Sequence, residues 1–267
     1  DRGGDWSSDV CSSDLTQIKA PIGSRPQLPE IEKALKEKKY KLVTVTHVDT
    51  STGVLSDLKS LSELIKRVSP ETLLIVDGVC SVGSEEVRFD DWNLDVVVTC
   101  SQKGLGCPAG LSISMYSGRA LEVFKARKSP PASYFASLKN WLPSKFPSPP
   151  PTPHHPILCR PTSDNYSVMQ NYEAKKPSYF ATPSPQLIHA LNTSLTQILS
   201  KPLSARFAAQ KAASAKVKKA VADLGLKQIA SDPADQANGM TTIYLPEGVA
   251  VPTDRKSTRL NSSHRLY

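Results

Sequence analysis

The sequence has few aromatic residues and no long apolar run. Phe, Trp and Tyr together make up 6% of the 267 residues, and the longest apolar runs, near 73–76 and 96–98, have the length of strands. Such runs are too short for a membrane-spanning helix. No positively charged segment followed by an apolar stretch opens the chain, so we expect neither a secretory signal nor a membrane partner. With 39% hydrophobic and 22% charged residues, the composition also excludes wholesale disorder.

Cysteine is scarce as well. The five cysteines are odd in number and lack paired spacing, which favours a reducing compartment over a disulfide framework. We therefore expect an intracellular protein, although cytosol, mitochondrion and peroxisome are not distinguished.

The net charge of +8 raises the question of nucleic-acid binding. In stretches such as 30–41 and 206–219 the basic residues alternate with Glu or Ala. Each stretch contains a single aromatic residue, Tyr40 or Phe207, and aromatic side chains do not alternate with the basic ones as base stacking requires. We interpret these stretches as solvated helix faces and expect no nucleic-acid partner.

Proline is the residue in excess, with 22 copies, of which eight lie between positions 143 and 161. Proline removes a backbone donor and fixes φ, so this segment forms neither a helix nor a central strand. On both sides of it, apolar strand-like runs alternate with helical periodicity. This alternation predicts an α/β fold with a mostly parallel sheet covered by helices. The expected elements are helices at 29–39, 56–67, 119–127, 185–199 and 203–224, and strands at 41–47, 72–77, 94–99, 110–116, 226–230 and 240–245.

The chain divides into four predicted segments, one of which contains an insert. Residues 1–15 and 253–267 are polar and without periodicity, and we interpret both as sequence foreign to the fold. Residues 16–200 form part of a large domain, interrupted by a Pro-rich insert at 144–168 that has the character of a retained intron. Residues 201–252 begin a smaller C-terminal domain.

The residues suited to catalysis lie at the ends of two predicted strands. The run TLLIVD ends on Asp77, and a second apolar run is followed by Ser-Gln-Lys, with Lys103 among small residues. In α/β proteins ligands bind at the carboxyl ends of strands. A desolvated lysine forms Schiff bases, and a carboxylate holds a protonated ring nitrogen, as pyridoxal phosphate requires. From spacing alone, a capping aspartate and a surface lysine are the favoured interpretation.

Three motifs are more specific than the spacing of Asp77 and Lys103. They are THVDTSTGVLSDL at 46–58, VDGVCSVGSEEVRFDDWNLDVVVTCSQKGLGCPAG at 76–110 and NYEAKKPSYFATPSPQLIHAL at 171–191. Together they resemble the class V aminotransferases of fold type I, in particular the alanine–glyoxylate and serine–pyruvate (serine–glyoxylate) group in a form that looks fungal. The resemblance implies a homodimeric enzyme that uses pyridoxal phosphate to transfer an amino group from alanine or serine to glyoxylate. Its substrates would be small amino acids and 2-oxo acids.

The resemblance also implies roles for single residues. Lys103 matches the lysine that forms the Schiff base, and Asp77 matches the acid that pairs with the pyridine nitrogen. Val79 matches an apolar contact to the ring. The remaining cofactor-binding matches are Thr50, near the phenolic oxygen, and Gln102, Tyr179 and Thr182 at the phosphate, the last two across a dimer interface.

Each polar match also has a structural interpretation. Thr50 and Ser51 would cap a helix beginning near Leu55, Gln102 would be a turn residue, and Tyr179 an interface aromatic. His47 reads as a strand-end residue rather than a base. We expect no metal site, because the potential ligands His154, His155 and Cys159 lie in the proline-rich segment without supporting acids.

Two other functions remain open. A cysteine desulfurase or a kynureninase-like enzyme shares the lysine and the aspartate, but a desulfurase needs a reactive cysteine on a mobile loop. Alternatively, the chain is an incomplete and catalytically incompetent member of the family, because motifs for the N-terminal part of the phosphate cup and for a substrate-binding arginine are not found.

Overall fold

The computed structural model describes residues 15–129, 131, 133, 137–141, 175–176 and 182–246. These residues belong to two compact units. One combines the described parts of 1–122 and 186–267, and the other comprises the described parts of 123–185. The predicted segments 144–168 and 253–267, and all but the last residue of 1–15, lie outside the described residues. The predicted domain boundary at residue 200 stays a prediction.

Helices and strands alternate along the chain up to residue 77, and two further strands follow before the next helix. The described elements are α1 (Leu28–Glu37), β1 (Leu42–Thr46), α2 (Leu58–Val68), β2 (Leu73–Asp77), β3 (Val96–Cys100), β4 (Ser112–Tyr116), α3 (Gly118–Lys125), α4 (Leu138–Trp141), α5 (Pro185–Leu199) and α6 (Leu203–Asp223). A short 3₁₀ turn follows at Pro233–Asp235.

The four described strands form one sheet in the order β1-β2-β3-β4. The strands β1, β2 and β3 are parallel, and β4 runs antiparallel to β3. The predicted mixed, mostly parallel sheet is therefore confirmed. Because β1, β2 and β3 point the same way, the loops that follow them meet at one edge of the sheet.

The core lies between this sheet and the helices α1 and α2. The fully buried Ile65 of α2 packs with Leu74 and Val76 of β2, and Leu35 of α1 belongs to the same cluster. The apolar positions of α2 recur at helical spacing, so that one face of the helix is buried while Lys66 and Arg67 remain accessible. Burial of these side chains fixes the orientation of the strands that carry the candidate site.

Asp95 connects the sheet to helix α3. Its buried carboxylate accepts hydrogen bonds from the backbone N–H of Leu74, from Lys66 Nζ and from the guanidinium of Arg119. These contacts lower the pKa of Asp95 although its burial acts in the opposite direction. A buried carboxylate needs this number of partners to remain ionised.

The structure differs from the predicted strands at 226–230 and 240–245. These segments pair at a single bridge, Gln228 with Ile243. Between them, the backbone N–H groups of Asn238 and Gly239 donate to the carboxylate of Glu85 and not to a neighbouring strand. No described helix has the length and apolar character to cross a membrane.

Candidate active site

The loops after β1, β2 and β3 lie together because the strands are in register. Thr46 pairs with Asp77, and Asp77 pairs with Val98. The N–H of His47 donates to the carbonyl of Asp77 over 2.9 Å, and the N–H of Gly78 donates to the carbonyl of Val98 over 2.8 Å. The loops after β1 and β2 therefore begin at the same level of the sheet, and β3 extends two residues beyond that level before its loop begins.

The loop after β1 is a tight turn organised by Asp49. Its carboxylate accepts from the N–H of Ser51 and from the hydroxyl of Thr52, both over 2.8 Å, and its carbonyl accepts from the N–H of Gly53. Thr50 is exposed at the tip of this turn. An aspartate that binds the backbone two residues on stabilises such turns locally.

Thr50 and Ser51 do not cap a helix, so that structural interpretation is wrong. Helix α2 begins at Leu58, and its N-cap is Asp57, whose carboxylate accepts from the N–H of Ser60 over 3.0 Å. The hydroxyl of Thr50 is therefore not needed for helix capping.

Asp77 presents an exposed carboxylate at the end of β2. One carboxylate oxygen, Oδ1, accepts from the N–H of Val79 over 2.9 Å, which fixes the side chain at the start of the turn. Val79 is half-buried. The carbonyl of Gly78, between them, accepts from the hydroxyl of Thr99 on β3, so the turn is attached to the next strand.

Lys103 lies in a closed turn after β3. The N–H of Gly106 donates to the carbonyl of Lys103, and the N–H of Cys107 donates to the carbonyl of Ser101, each over 2.9 Å. The buried hydroxyl of Ser101 donates to the carbonyl of Pro108 over 2.6 Å. Lys103 is half-buried and Gln102 is exposed.

Lys103 and Asp77 both lie close to the Cys80 thiol, at or just after the ends of two paired strands. Burial raises the pKa of this thiol, the Lys103 ammonium opposes that shift, and the Asp77 carboxylate adds to it. Both charged groups must be near Cys80 to act on it, since such interactions decline with distance. The structure thus brings together an amine and a carboxylate that are 26 residues apart in the sequence.

His47 lies directly after β1 and is buried, with 3% of its surface exposed. Its Nδ1 has no hydrogen-bond partner among the described residues. Burial lowers its pKa from 6.5 to about 4, so the imidazole is neutral at pH 7. The sequence predicted a strand-end histidine here.

Two predicted phosphate ligands, Tyr179 and Thr182, stay predictions. Tyr179 lies outside the described residues, and Thr182 is exposed in the other unit of the chain. His154, His155 and Cys159 also lie outside the described residues. Among those described, no group of three or more His, Cys, Asp and Glu side chains could hold a metal ion.

Sequence reasoning missed a cation beside the Lys103 turn. Arg206, at the start of α6, was assigned to a solvated basic face, but it donates to the carbonyls of Gly83 and Gly104. A groove of about 530 Å³ lies beside this contact, lined by residues 104–106, by α5 and by Arg206. Contacts of a side chain with distant carbonyls leave no local pattern by which a sequence could reveal them.

The mixed, mostly parallel sheet and its helices match the fold of the fold type I pyridoxal-phosphate aminotransferases. A solved structure of that class, an alanine–glyoxylate aminotransferase from Nostoc sp., matches 88% of this chain and 54% of its own with a TM-score of 0.72 and 25% identity.

More narrowly, residues 9–135 match the family model for aminotransferase class V, which identifies an aminotransferase class V domain in this part of the chain. It is 39% identical over 230 residues to alanine–glyoxylate aminotransferase 1 of Saccharomyces cerevisiae, covering 85% of this chain and 54% of that protein. It is 31% identical over 215 residues to serine–glyoxylate aminotransferase of Hyphomicrobium methylovorum, covering 80% and 46% respectively. The chain therefore spans about half the length of the relatives it matches.

Proposed function

We propose that this chain carries the cofactor-binding part of a transaminase that moves an amino group from alanine or serine to glyoxylate. The observation that carries the proposal is the common environment of Lys103 and Asp77 at the ends of two paired strands. Relatives with alanine–glyoxylate and serine–glyoxylate activity support the choice of reaction.

The residues at this edge fit pyridoxal phosphate. The exposed carboxylate of Asp77 is suited to a protonated ring nitrogen, and the half-buried amine of Lys103 is suited to the aldehyde. Val79, next to Asp77, would lie against the ring. When bound, the cofactor supplies an electron sink for the carbanion formed at the substrate Cα.

Lys103 and Asp77 would have distinct tasks in the reaction. Lys103 would hold the cofactor and, once released by the incoming amino acid, would take the proton from the substrate Cα as general base. Asp77 would keep the ring nitrogen protonated through its negative charge. The hydroxyl of Thr50, at the tip of the first loop, would donate to the phenolic oxygen.

The phosphate would be bound by neutral donors. Gln102 is exposed beside Lys103, and we propose Tyr179 and Thr182 of a second copy as further donors, which makes the whole protein a homodimer. The amide of Gln102 and the hydroxyls of Tyr179 and Thr182 are neutral groups that donate hydrogen bonds to phosphate oxygens.

Two of the three described cysteines, Cys80 and Cys107, do not favour a desulfurase. Cys107 is buried, and burial raises the pKa of the Cys80 thiol, whereas a nucleophilic cysteine needs a lowered pKa. Release of sulfide from cysteine by the purified chain would contradict the proposal.

Borohydride trapping tests the cofactor site. The purified chain is mixed with pyridoxal phosphate, reduced and mapped by mass spectrometry; we expect a visible absorbance band and one fixed adduct at Lys103. Lys103→Ala should lose both, whereas Lys33→Ala, which removes an exposed lysine of α1, should keep both. An adduct scattered over surface lysines would contradict the cofactor site.

Turnover is tested separately, with alanine or serine as donor and glyoxylate as acceptor. Formation of glycine together with pyruvate or hydroxypyruvate supports the transaminase proposal. A chain that traps the cofactor at Lys103 without forming glycine supports the alternative of a cofactor-binding but catalytically incompetent chain.

A further inference from the structure

Arg206 connects helix α6 to two loops of the candidate active site. Its Nε donates to the carbonyl of Gly83 over 2.7 Å, and its Nη2 donates to the carbonyl of Gly104 over 2.8 Å. These acceptors lie 123 and 102 residues before Arg206 in the sequence. A planar guanidinium with several donors in fixed directions is suited to two acceptors at once, which an ammonium is not.

The two loops touch through their backbones at this place. A Cβ added at Gly104 would lie 2.2 Å from the carbonyl oxygen of Val82, and one added at Gly83 would lie 2.9 Å from the carbonyl oxygen of Gly104. Side chains are therefore excluded from the contact. Because both carbonyls face the same guanidinium, Arg206 fixes one loop against the other.

Each loop carries a residue of the proposed cofactor site. Gly104 follows Lys103 directly, within the turn closed by the hydrogen bond from Gly106 to Lys103. Gly83 ends the turn that begins at Asp77, where the N–H of Val82 donates to the carbonyl of Gly78. A displacement of one loop against the other thus changes the position of the Lys103 amine relative to the Asp77 carboxylate.

We propose that Arg206 is a positioning residue that sets the Lys103 turn against the Asp77 loop. The inference rests on the proposed function, because the two loops matter together only if Lys103 and Asp77 hold one cofactor. Ser194 of α5 assists by donating its hydroxyl to the carbonyl of Leu105 in the same turn.

Hydrogen exchange of the full chain without cofactor tests whether Arg206 stabilises the Lys103 turn. In Arg206→Ala, the amides of the peptide covering 101–107 should exchange about tenfold faster, because a charge-assisted hydrogen bond to the turn is lost. Arg206→Lys should give an intermediate rate. Since Arg206 lines an open groove, low millimolar methylguanidinium should slow the exchange of the alanine variant again.

Lys218→Met is the matched control. Lys218 lies on the same helix, is half-buried and donates to one carbonyl, that of Ala237, over 2.8 Å. We expect it to lower Tm without changing exchange in 101–107. If Arg206→Ala lowers Tm about as much as Lys218→Met does but leaves the exchange of this peptide unchanged, the inference is overturned. If Arg206→Ala shows no cooperative unfolding, Arg206→Lys decides by the same criterion.

Trapping of pyridoxal phosphate then separates this inference from the proposed function. If the wild-type chain traps it at Lys103, Arg206→Ala should trap about tenfold less at a fixed cofactor concentration. An equal yield in both would overturn the positioning role. If the wild-type chain traps none, the proposed function fails, whereas faster exchange in 101–107 still supports the control of this turn by Arg206.

Discussion

Glu85 and Asn238 lie 153 residues apart in the sequence and are joined side chain to side chain, with Nδ2 of Asn238 donating to Oε2 of Glu85 over 2.8 Å. The other carboxylate oxygen, Oε1, accepts from the N–H groups of Asn238 and Gly239. Glu85 is buried, with 5% of its surface exposed. This carboxylate attaches the segment after α6 to the loop that follows β2.

Glu85→Gln should destabilise the chain. The substituted amide can place only one acceptor oxygen where the carboxylate has two, so that at least one buried donor loses its partner, at a cost of about 1–3 kcal/mol in the free energy of unfolding. Chemical denaturation measures the loss. Glu86→Gln, next in the chain and half-exposed in a salt bridge with Arg88, should change stability by less than about 0.5 kcal/mol.

Asp95→Asn should lower the free energy of unfolding more than Glu85→Gln does. The substitution leaves Arg119 and Lys66 facing a neutral group at a buried position, and removal of one partner of such a network costs about 3–5 kcal/mol. The exposed Asp91→Asn, which weakens one surface pair with Arg88, is the control and should have little effect. Equal losses in the two variants would contradict the central role of Asp95.

His47 should make stability depend on pH. Its pKa is lowered by burial to about 4 in the folded chain, whereas the unfolded chain has the ordinary value of 6.5, so the unfolded state binds the proton more tightly. This contribution is fully present above pH 6.5 and is lost as the pH falls from 6.5 towards 4, by up to about 3 kcal/mol.

Unfolding curves at pH 7 and pH 4.5 check this dependence. We expect His47→Gln to reduce the difference in unfolding free energy between these two pH values. His189→Gln removes an exposed histidine of α5 and should leave the difference unchanged. A wild-type difference that persists in His47→Gln would assign it to other groups.

Gly104→Ala should disturb the Lys103 turn. The added Cβ would meet backbone at 2.2 Å, and backbone cannot move aside as a side-chain end does. We expect a loss of about 1–3 kcal/mol together with faster amide exchange in 101–107. Gly118→Ala is the matched control, because its Cβ meets nothing within 4 Å. A stable Gly104→Ala with slow exchange would show that the loops do not touch as described.

The sheet could be predicted because its determinants are local. The β-branched and apolar runs near 72–77 and 94–99 indicate buried strands by their composition alone, and the structure places β2 and β3 within two residues of them. The positions of Asp77 and Lys103 after these strands follow from the same runs. Their common environment then follows from parallel pairing.

The contacts that hold the site could not be predicted. Arg206 and Lys218 belong to a helix that reads as a solvated basic face, yet both donate to carbonyls more than 18 residues away. All backbone carbonyls are chemically alike, so the sequence gives no reason to prefer one of them as the acceptor. Only the folded arrangement of the loops decides which carbonyl lies within reach of a given cation.

The parallel strand order has a consequence for synthesis of the protein. Strands β1 to β4 are neighbours both in the sheet and along residues 42–116, so all the strands of this sheet are synthesised before residue 117. Arg206 and Asn238 leave the ribosome about 90 residues or more after β4, or several seconds later at ordinary rates of translation. The nascent chain therefore possesses the turn that bears Lys103 and the loop that bears Glu85 before it possesses the cation and the amide that secure them.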